Sequence, residues 1–555
     1  MFRALHSKAI KSVRALALCR GLETGTLPHW HARPLFEVFM AKKSLPVVVT
    51  LSLSAFSLSA GLAQSKAAPA AGEGLGMEGA GEVEVAVVAK GPDRIIVGGG
   101  FDPASSAVAL EQNLLDYKVL DPAAVFLYGG GSDVRQLDVA ETDASVNEDD
   151  LLFSLVLQGK DVDPRLHLRH NRIPTLSGAA TVTGVKQALA AQASRVASSR
   201  ARARFFYTGH GSAGGTRKEP FARNVLALWD GTFDVPAYAR ALESLPPGAR
   251  SLTVMTQCYS GGFANLIWSG GEKQLGVLRP TRCGFFSQRA DRPAAGCSPD
   301  LANRDEYSVS FFEALRGKSL DGKIVIADFD GDGRLSAREA HGHAVATLAS
   351  IDVPLSTSDH FLAVEIPLSR IPKAARTWAL AQWKMRFSPW EDAVVESLVR
   401  RLSAPPPRTA PLLTWLEREI EAGRAQAEAV DNTAEEKRKA LDDLAWSMSQ
   451  TLARTEHLFT SLVSVRNGAS LAPSVEGLAR ARMAFLSHPR RGDLTKLLRE
   501  AAEADTRGLS LAHGLAVQER LLHLIETKAR EVALPARGPS RSAFEALRTC
   551  ESQEW

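Results

Sequence analysis

The chain has 555 residues, 45% hydrophobic and 23% charged, an ordinary globular composition that excludes a wholly disordered chain, a collagen and a polytopic membrane protein. Its formal net charge is +4, but residues 1–63 hold eight basic and two acidic side chains. The remainder therefore carries −2, which gives no bulk electrostatic case for a nucleic-acid partner. Met40-Ala41-Lys42-Lys43 is a short basic start, Ser44 to Ala60 is apolar or small, and Gly61-Leu62-Ala63 suits a signal peptidase. Residues 40–63 are thus expected to be a signal peptide, with Met40 the true start and 1–39 an upstream extension. Its apolar run of 17 Ser-rich residues is short for a membrane anchor. The expectation is an exported protein, periplasmic or secreted, with no stable membrane insertion after cleavage. Export permits disulfides. Cys283 and Cys297 lie 14 apart around a Pro- and Gly-containing loop and are a candidate short bridge, though spacing does not settle pairing.

Gln64 to Gly91 is rich in Ala and Gly and reads as a linker. Arg94 to Val97 then runs into three glycines, a buried strand ending in a turn. Val108 to Leu120 has helical spacing, and Val125 to Tyr128 is a second strand. Residues 132–172 are polar with weak periodicity and read as a long loop or insertion. Thr183 to Ser199 is a helix. Apolar runs at 204–207, 225–229, 252–255 and 284–286 follow, with helical spacing between them, as at Pro236 to Leu245. Strands alternating with helices imply an α/β fold, a mainly parallel sheet covered on both faces. This part is bounded at 92–373. From 374 to 555 the chain is long amphipathic helix broken at prolines, an all-α C-terminal region. It is either an interaction domain or a segment that contacts the α/β domain and covers its site.

Two strand ends carry chemistry. One reads Phe205-Phe206-Tyr207-Thr208-Gly209-His210-Gly211-Ser212, the other Thr253-Val254-Met255-Thr256-Gln257-Cys258-Tyr259-Ser260-Gly261-Gly262. Each delivers one reactive side chain at the carboxyl edge, where open parallel sheets bind ligands. A thiol becomes a strong nucleophile when a neighbouring imidazole takes its proton. The backbone N–H groups of Gly211 and Cys258 could hold the developing oxyanion. His210 and Cys258 are 48 apart, near the separation of about 50 in caspase-type proteases. Neither Ser212 nor Ser260 sits in a G-x-S-x-G nucleophile turn.

These blocks resemble the His-Gly-Ser and Cys-x-Ser-Gly blocks of legumain-type cysteine peptidases, in the clan that also holds caspases and gingipains. Gly98-Gly99-Gly100, Phe286-Ser287 and Asp305-Glu306-Tyr307-Ser308-Val309 resemble further family blocks in the same order, over residues 93–316. The resemblance implies a caspase-like α/β/α sandwich, a His210/Cys258 dyad, peptide-bond cleavage or transamidation, and a substrate pocket lined by Ser287 and Asp305. The family's asparagine-specific members carry a basic pair where this chain has Asp102-Pro103-Ala104-Ser105-Ser106, and an acidic residue where it has Thr256. Preference for Asn therefore does not carry over.

Asp328 to Glu339 is a second motif. A calcium loop places carboxylates at positions 1, 3, 5 and 12, a glycine at 6, a carbonyl at 7 and a water-bridging residue at 9. Asp328, Asp330, Asp332, Glu339, Gly331, Arg334 and Ser336 fill those places, so Ca²⁺ is the expected cofactor. The run before it, Lys323 to Ala327, looks more like a strand than an entering helix, so a lone structural loop is expected. The resulting expectation is an exported, calcium-stabilised cysteine endopeptidase acting on protein or peptide. The alternatives are a transamidase or peptide ligase of the same fold, and a calcium-stabilised scaffold with an inert peptidase-like domain.

Overall fold

The structure, a computed structural model, describes residues 93–139, 147–158, 166–199, 201–217, 219–275, 278–302, 304–455 and 475–555. The upstream extension, signal peptide and linker expected over 1–91 lie outside the described residues. In chain order the main elements are β1 Arg94–Gly99, α1 Val108–Leu120, β2 Val125–Tyr128, β3 Arg135–Val139, α2 Glu148–Gln158, β4 Leu166–His170 and α3 Val182–Ser199. Then come β5 Ala203–Gly209, β6 Gly211–Ser212, β7 Val225–Leu228, β8 Gly231–Asp234, α4 Val235–Leu242, β9 Ser251–Met255 and β10 Arg282–Phe286. The rest is mostly helical: α5 Tyr307–Arg316, α6 Ala337–Thr347, β11 Leu355–Ser356, α7 Thr357–Glu365, α8 Leu380–Lys384 and α9 Pro389–Arg401. Four more helices complete it: α10 Leu412–Thr455, α11 Val475–Leu486, α12 Arg491–Ala533 and α13 Pro539–Glu551.

Six strands form the central sheet in the order β11-β10-β9-β5-β1-β2, parallel except for the β10–β11 edge pair. Its strands are buried on both faces, which is why they read as continuous apolar runs. Ile95, Val97, Phe205, Tyr207, Met255 and Phe286 enter one core, packed by α3, α4 and α7. Ile96, Phe126, Phe206, Val254 and Phe285 alternate into the other, packed by α1, α5 and α6. The fold class is therefore α/β with a mainly parallel sheet, followed by a helical C-terminal region.

Three sequence expectations are corrected. The run at 225–229 pairs in a separate three-stranded antiparallel sheet, β6-β7-β8, outside the central one. The 132–172 stretch is not a loop: β3 and β4 pair antiparallel, with α2 between them. Residues 323–327 form no strand beyond an isolated bridge at Ile324, and Ile324 and Ile326 are exposed.

The helical region is built on α10 and α12, of 44 and 43 residues. One end packs with α9 around Trp383, Trp415, Leu416, Leu521 and Ile525. The other packs with α2 and α11 around Leu152, Val156, Leu444, Met448 and Phe485. The chain then returns to the α/β part, where Leu534, Phe544 and Leu547 join the core of α3, α4 and α7. Among the described residues no helix is long and apolar enough to cross a membrane.

The expected Cys283–Cys297 bridge is not formed. Cys283 of β10 is bonded to Cys550 of α13, with Cα atoms 5.9 Å apart and a sequence separation of 267. Spacing arguments favour near neighbours, and nothing local marks a partner at the far end of the chain.

Candidate active site

β5 and β9 are neighbours in the sheet, with Tyr207 level with Met255. The Thr256 N–H donates to the Tyr207 carbonyl at 3.0 Å and closes this last pair of the ladder. Past that pair both chains leave the ladder, with His210 one residue beyond the end of β5 and Cys258 three residues beyond the end of β9. Gly211 confirms the closeness of the two strand ends: a Cβ there would lie 2.4 Å from the Cys258 carbonyl oxygen. The structure thus brings His210, Gly211 and Cys258 together at the carboxyl edge.

His210 is held from two sides. Its Nε2 lies 2.8 Å from the Ser105 carbonyl, which fixes the Nε2–H tautomer and leaves Nδ1 as the basic nitrogen. That carbonyl belongs to a tight turn in which Asp102 Oδ1 accepts from the Ser105 N–H (2.7 Å) and Ser106 Oγ donates to the Asp102 carbonyl (2.9 Å). The Tyr207 hydroxyl donates to the His210 carbonyl at 2.9 Å, and Phe101 meets the ring edge-on. Burial pushes the imidazole's pKa down, while the Ser105 carbonyl and the Asp102 charge offset part of that shift. The sequence signal for this turn is the Asp-Pro-x-Ser-Ser string, whose short polar side chains bond their own backbone.

Cys258 is 8% exposed, with Sγ 3.8 Å from the Ala294 carbonyl. The next residue, Tyr259, has φ 59° and ψ 19°, so the chain turns sharply from strand into a 3-10 helix. Its glycines admit a crossing loop, residues 288–298. A Cβ on Gly261 would lie 2.7 Å from the Ala290 nitrogen and the Gln288 carbonyl oxygen. Asn224, fully buried, joins the layers by donating to the Tyr259 and Ala290 carbonyls at 2.9 Å each. Sequence reading gave no hint of Asn224.

The helical region anchors this loop. Arg292 donates to Glu519 of α12 at 2.6 Å, and Glu519 also receives Arg424 of α10 at 2.6 Å. Asp352 Oδ1 accepts from the Ala295 N–H at 2.7 Å. The segment carrying Asp352 is gripped in turn by Arg520, which donates to the carbonyls of Leu348, Ser350 and Asp352.

The two residues expected to line a substrate pocket fall in different settings. Ser287 is fully buried, its N–H donating to the Met255 carbonyl (3.0 Å) and its Oγ 3.4 Å from Ser260 Oγ. Asp305 is exposed, and its charge acts on His513 of α12. The buried acid is its neighbour Glu306, whose carboxyl is pushed up by burial and whose Oε1 lies 3.5 Å from Arg304. A Cβ on Gly296 would sit 3.3 Å from its Oε2, and its charge acts on the Cys297 thiol.

In the 328–339 loop, ligand oxygens of Asp328, Asp330 and Asp332 lie within 4.8 Å of one another. Asp328 accepts from the N–H groups of Gly331 (2.8 Å) and Gly333 (3.0 Å), two glycines at φ 73° and 78° where other residues are strained. Glu339 stands apart from that trio. It closes a capping box with Ser336 at the start of α6 and accepts from the Phe329 N–H at 2.8 Å. The Arg334 side chain reaches Glu554 at 3.7 Å, and the Ala337 N–H donates to the Gln553 carbonyl at 2.8 Å, so the C-terminal tail lies along the loop. An all-oxygen donor set on a short arc suits a hard cation such as Ca²⁺.

No protein-family model matches the chain, and no curated protein matches it in sequence.

Proposed function

We propose that the chain is a cysteine endopeptidase with a caspase-like α/β/α catalytic domain. The observation that carries this is the close approach of the two strand ends, where a Cβ on Gly211, next to His210, would lie 2.4 Å from the Cys258 carbonyl oxygen, with the Ser105 carbonyl orienting the imidazole. His210 Nδ1 takes the Cys258 proton, and the thiolate attacks the scissile carbonyl. The N–H groups of Gly211 and Cys258 receive the negative oxygen. The imidazolium then protonates the leaving amine as the C–N bond breaks, and water hydrolyses the thioester. A peptide-library cleavage profile of the reduced protein tests this, with a competing amine present in a second arm. Cleavage products alone indicate hydrolysis, amine-joined products indicate transamidation, and an unchanged library rejects both.

Because burial holds the His210 pKa below 6.5, the neutral base persists into weakly acidic solution. The acidic limb of the kcat/KM profile therefore lies below that value. Asp102→Asn keeps an acceptor for the Ser105 N–H but removes a charge that raises the imidazole's pKa. It is expected to move the limb to still lower pH, and a limb that stays put or rises contradicts this electrostatic role.

Ca²⁺ is proposed to sit in the Asp328–Glu339 loop, held by Asp328, Asp330, Asp332 and the Arg334 carbonyl, with Ser336 reached through water and Glu339 becoming a ligand only by swinging out of its capping box. Its role is structural, tying the end of the α/β domain to the C-terminal tail. A ligand at a hundredfold excess over its Kd stabilises the native state by about 2.7 kcal/mol. Chelation is expected to lower the Tm, and Asp328→Ala to lower it in calcium and abolish the effect of chelator. An unchanged wild-type Tm on chelation removes calcium from the proposal. Export is part of the same reading, and the Cys283–Cys550 bridge favours an oxidising compartment.

A further inference from the structure

Among the described residues two cysteines stand outside the Cys283–Cys550 bridge, Cys258 and Cys297, and the 288–298 loop approaches both strand ends with them. Ala294 of that loop touches the Cys258 sulfur through its carbonyl. Three residues on, Cys297 places its sulfur 3.7 Å from the Gly209 carbonyl, one residue before His210. Gly211, next after His210, approaches the Cys258 carbonyl so closely that a Cβ there would lie 2.4 Å from its oxygen. Both thiols act electrostatically on the Tyr207 phenol between the strand ends and on each other. Cys297 is also one of the few non-glycine residues with positive φ, 59°, and follows Gly296 at 125°. A strained residue behind a glycine pivot can be re-seated by a small backbone change. Disulfide formation requires Cα atoms within about 7 Å, which such a re-seating would bring about.

We propose that Cys258 and Cys297 form a second, reversible disulfide that holds the site in a latent state until it is reduced. That such a bond silences catalysis rests on the peptidase reading; that it forms does not. Burial keeps the Cys297 thiol protonated, so Cys258, beside His210, is the first sulfur to react. The Cys258 thiolate attacks a small-molecule disulfide such as oxidised glutathione, and one glutathione thiolate leaves. Cys297 then attacks the Cys258 sulfur and expels the glutathione bound to it. The two cysteines lose two electrons and two protons, and the disulfide becomes two thiols. A chain exported through an oxidising compartment would emerge in the linked form.

The test uses the full chain equilibrated in oxidised or reduced glutathione, alkylated at low pH and mapped by peptide mass without reduction. The expected result in oxidised buffer is a linked Cys258–Cys297 peptide, two hydrogens lighter than the separate pair, that reverts to two alkylated thiols on reduction. In Cys297→Ser, Cys258 should instead be found as a glutathione adduct. Oxidised wild-type protein in which Cys258 and Cys297 remain separate, or in which Cys297 is joined to Cys283 or Cys550, overturns the proposal. A cysteine-directed peptidase probe on the reduced sample separates the two claims. Linkage without probe labelling keeps the disulfide and rejects the peptidase; labelling without linkage does the reverse.

Discussion

Cys258→Ala is expected to leave a folded protein with no measurable peptide cleavage. The thioester needs a sulfur at this strand end, and the sulfur of Cys297 is seated instead against the Gly209 carbonyl. Losing one small side chain costs the fold little, because the core beneath is made by Val254, Met255 and Phe286. His210→Ala should behave differently: the thiol and the oxyanion donors stay, and the rate falls by the share of general acid–base catalysis, about 10²- to 10⁴-fold. Turnover on the best library peptide, measured beside the Tm of each variant, separates chemistry from folding. Full activity in folded Cys258→Ala protein would place the nucleophile elsewhere.

Arg520→Ala is expected to cost about 3–5 kcal/mol of stability. Arg520 is 1% exposed and donates to three carbonyls, of Asp352 (2.7 Å), Leu348 (2.6 Å) and Ser350 (2.5 Å). Alanine leaves buried acceptors unpaired and a cavity the size of the guanidinium. The loss should depend on pH. Burial pushes the Asp352 carboxyl up from 3.8 to about 7, with the Arg520 charge opposing that shift. Between those values the unfolded chain is ionised while the native state keeps its proton, so this group weakens the fold as pH rises. Without Arg520 the native pKa climbs further, and the penalty continues above neutrality. Urea unfolding should therefore show a larger deficit at pH 8 than at pH 6. A deficit under about 1 kcal/mol, equal at both, would contradict this role for the arginine.

Much of the α/β framework was legible because β1, β2, β5, β9 and β10 are apolar runs bounded by glycine or polar turns. The strand-end positions of His210 and Cys258 followed from the same pattern. Partner choice was not legible. Val225–Leu228 looks like a core strand, yet it pairs with two short neighbours outside the central sheet. β3 and β4 carry few apolar residues and are separated by α2, so neither period nor spacing marks the hairpin. Amphipathic patterning announced a helical region over 374–555, but an apolar face does not say what covers it; here Leu534, Phe544 and Leu547 return to the α/β core. The tail belongs to that core both through those side chains and through Cys550. Asp305 and Glu306 are adjacent acids of which only Glu306 is buried. The turn into α5 exposes one and buries the other, and no pattern in the string distinguishes them.

The most direct test of the dyad is to expose the reduced, folded chain to a peptidyl acyloxymethyl ketone and locate the adduct by peptide mass. The expected result is one thioether on Cys258, formed quickly in the native protein, slowly in His210→Ala and no faster than background after unfolding. An adduct confined to Cys297, labelling indifferent to His210, or native protein that takes no probe while its Cys258 is reduced, would contradict the assignment of His210 and Cys258 as an active pair.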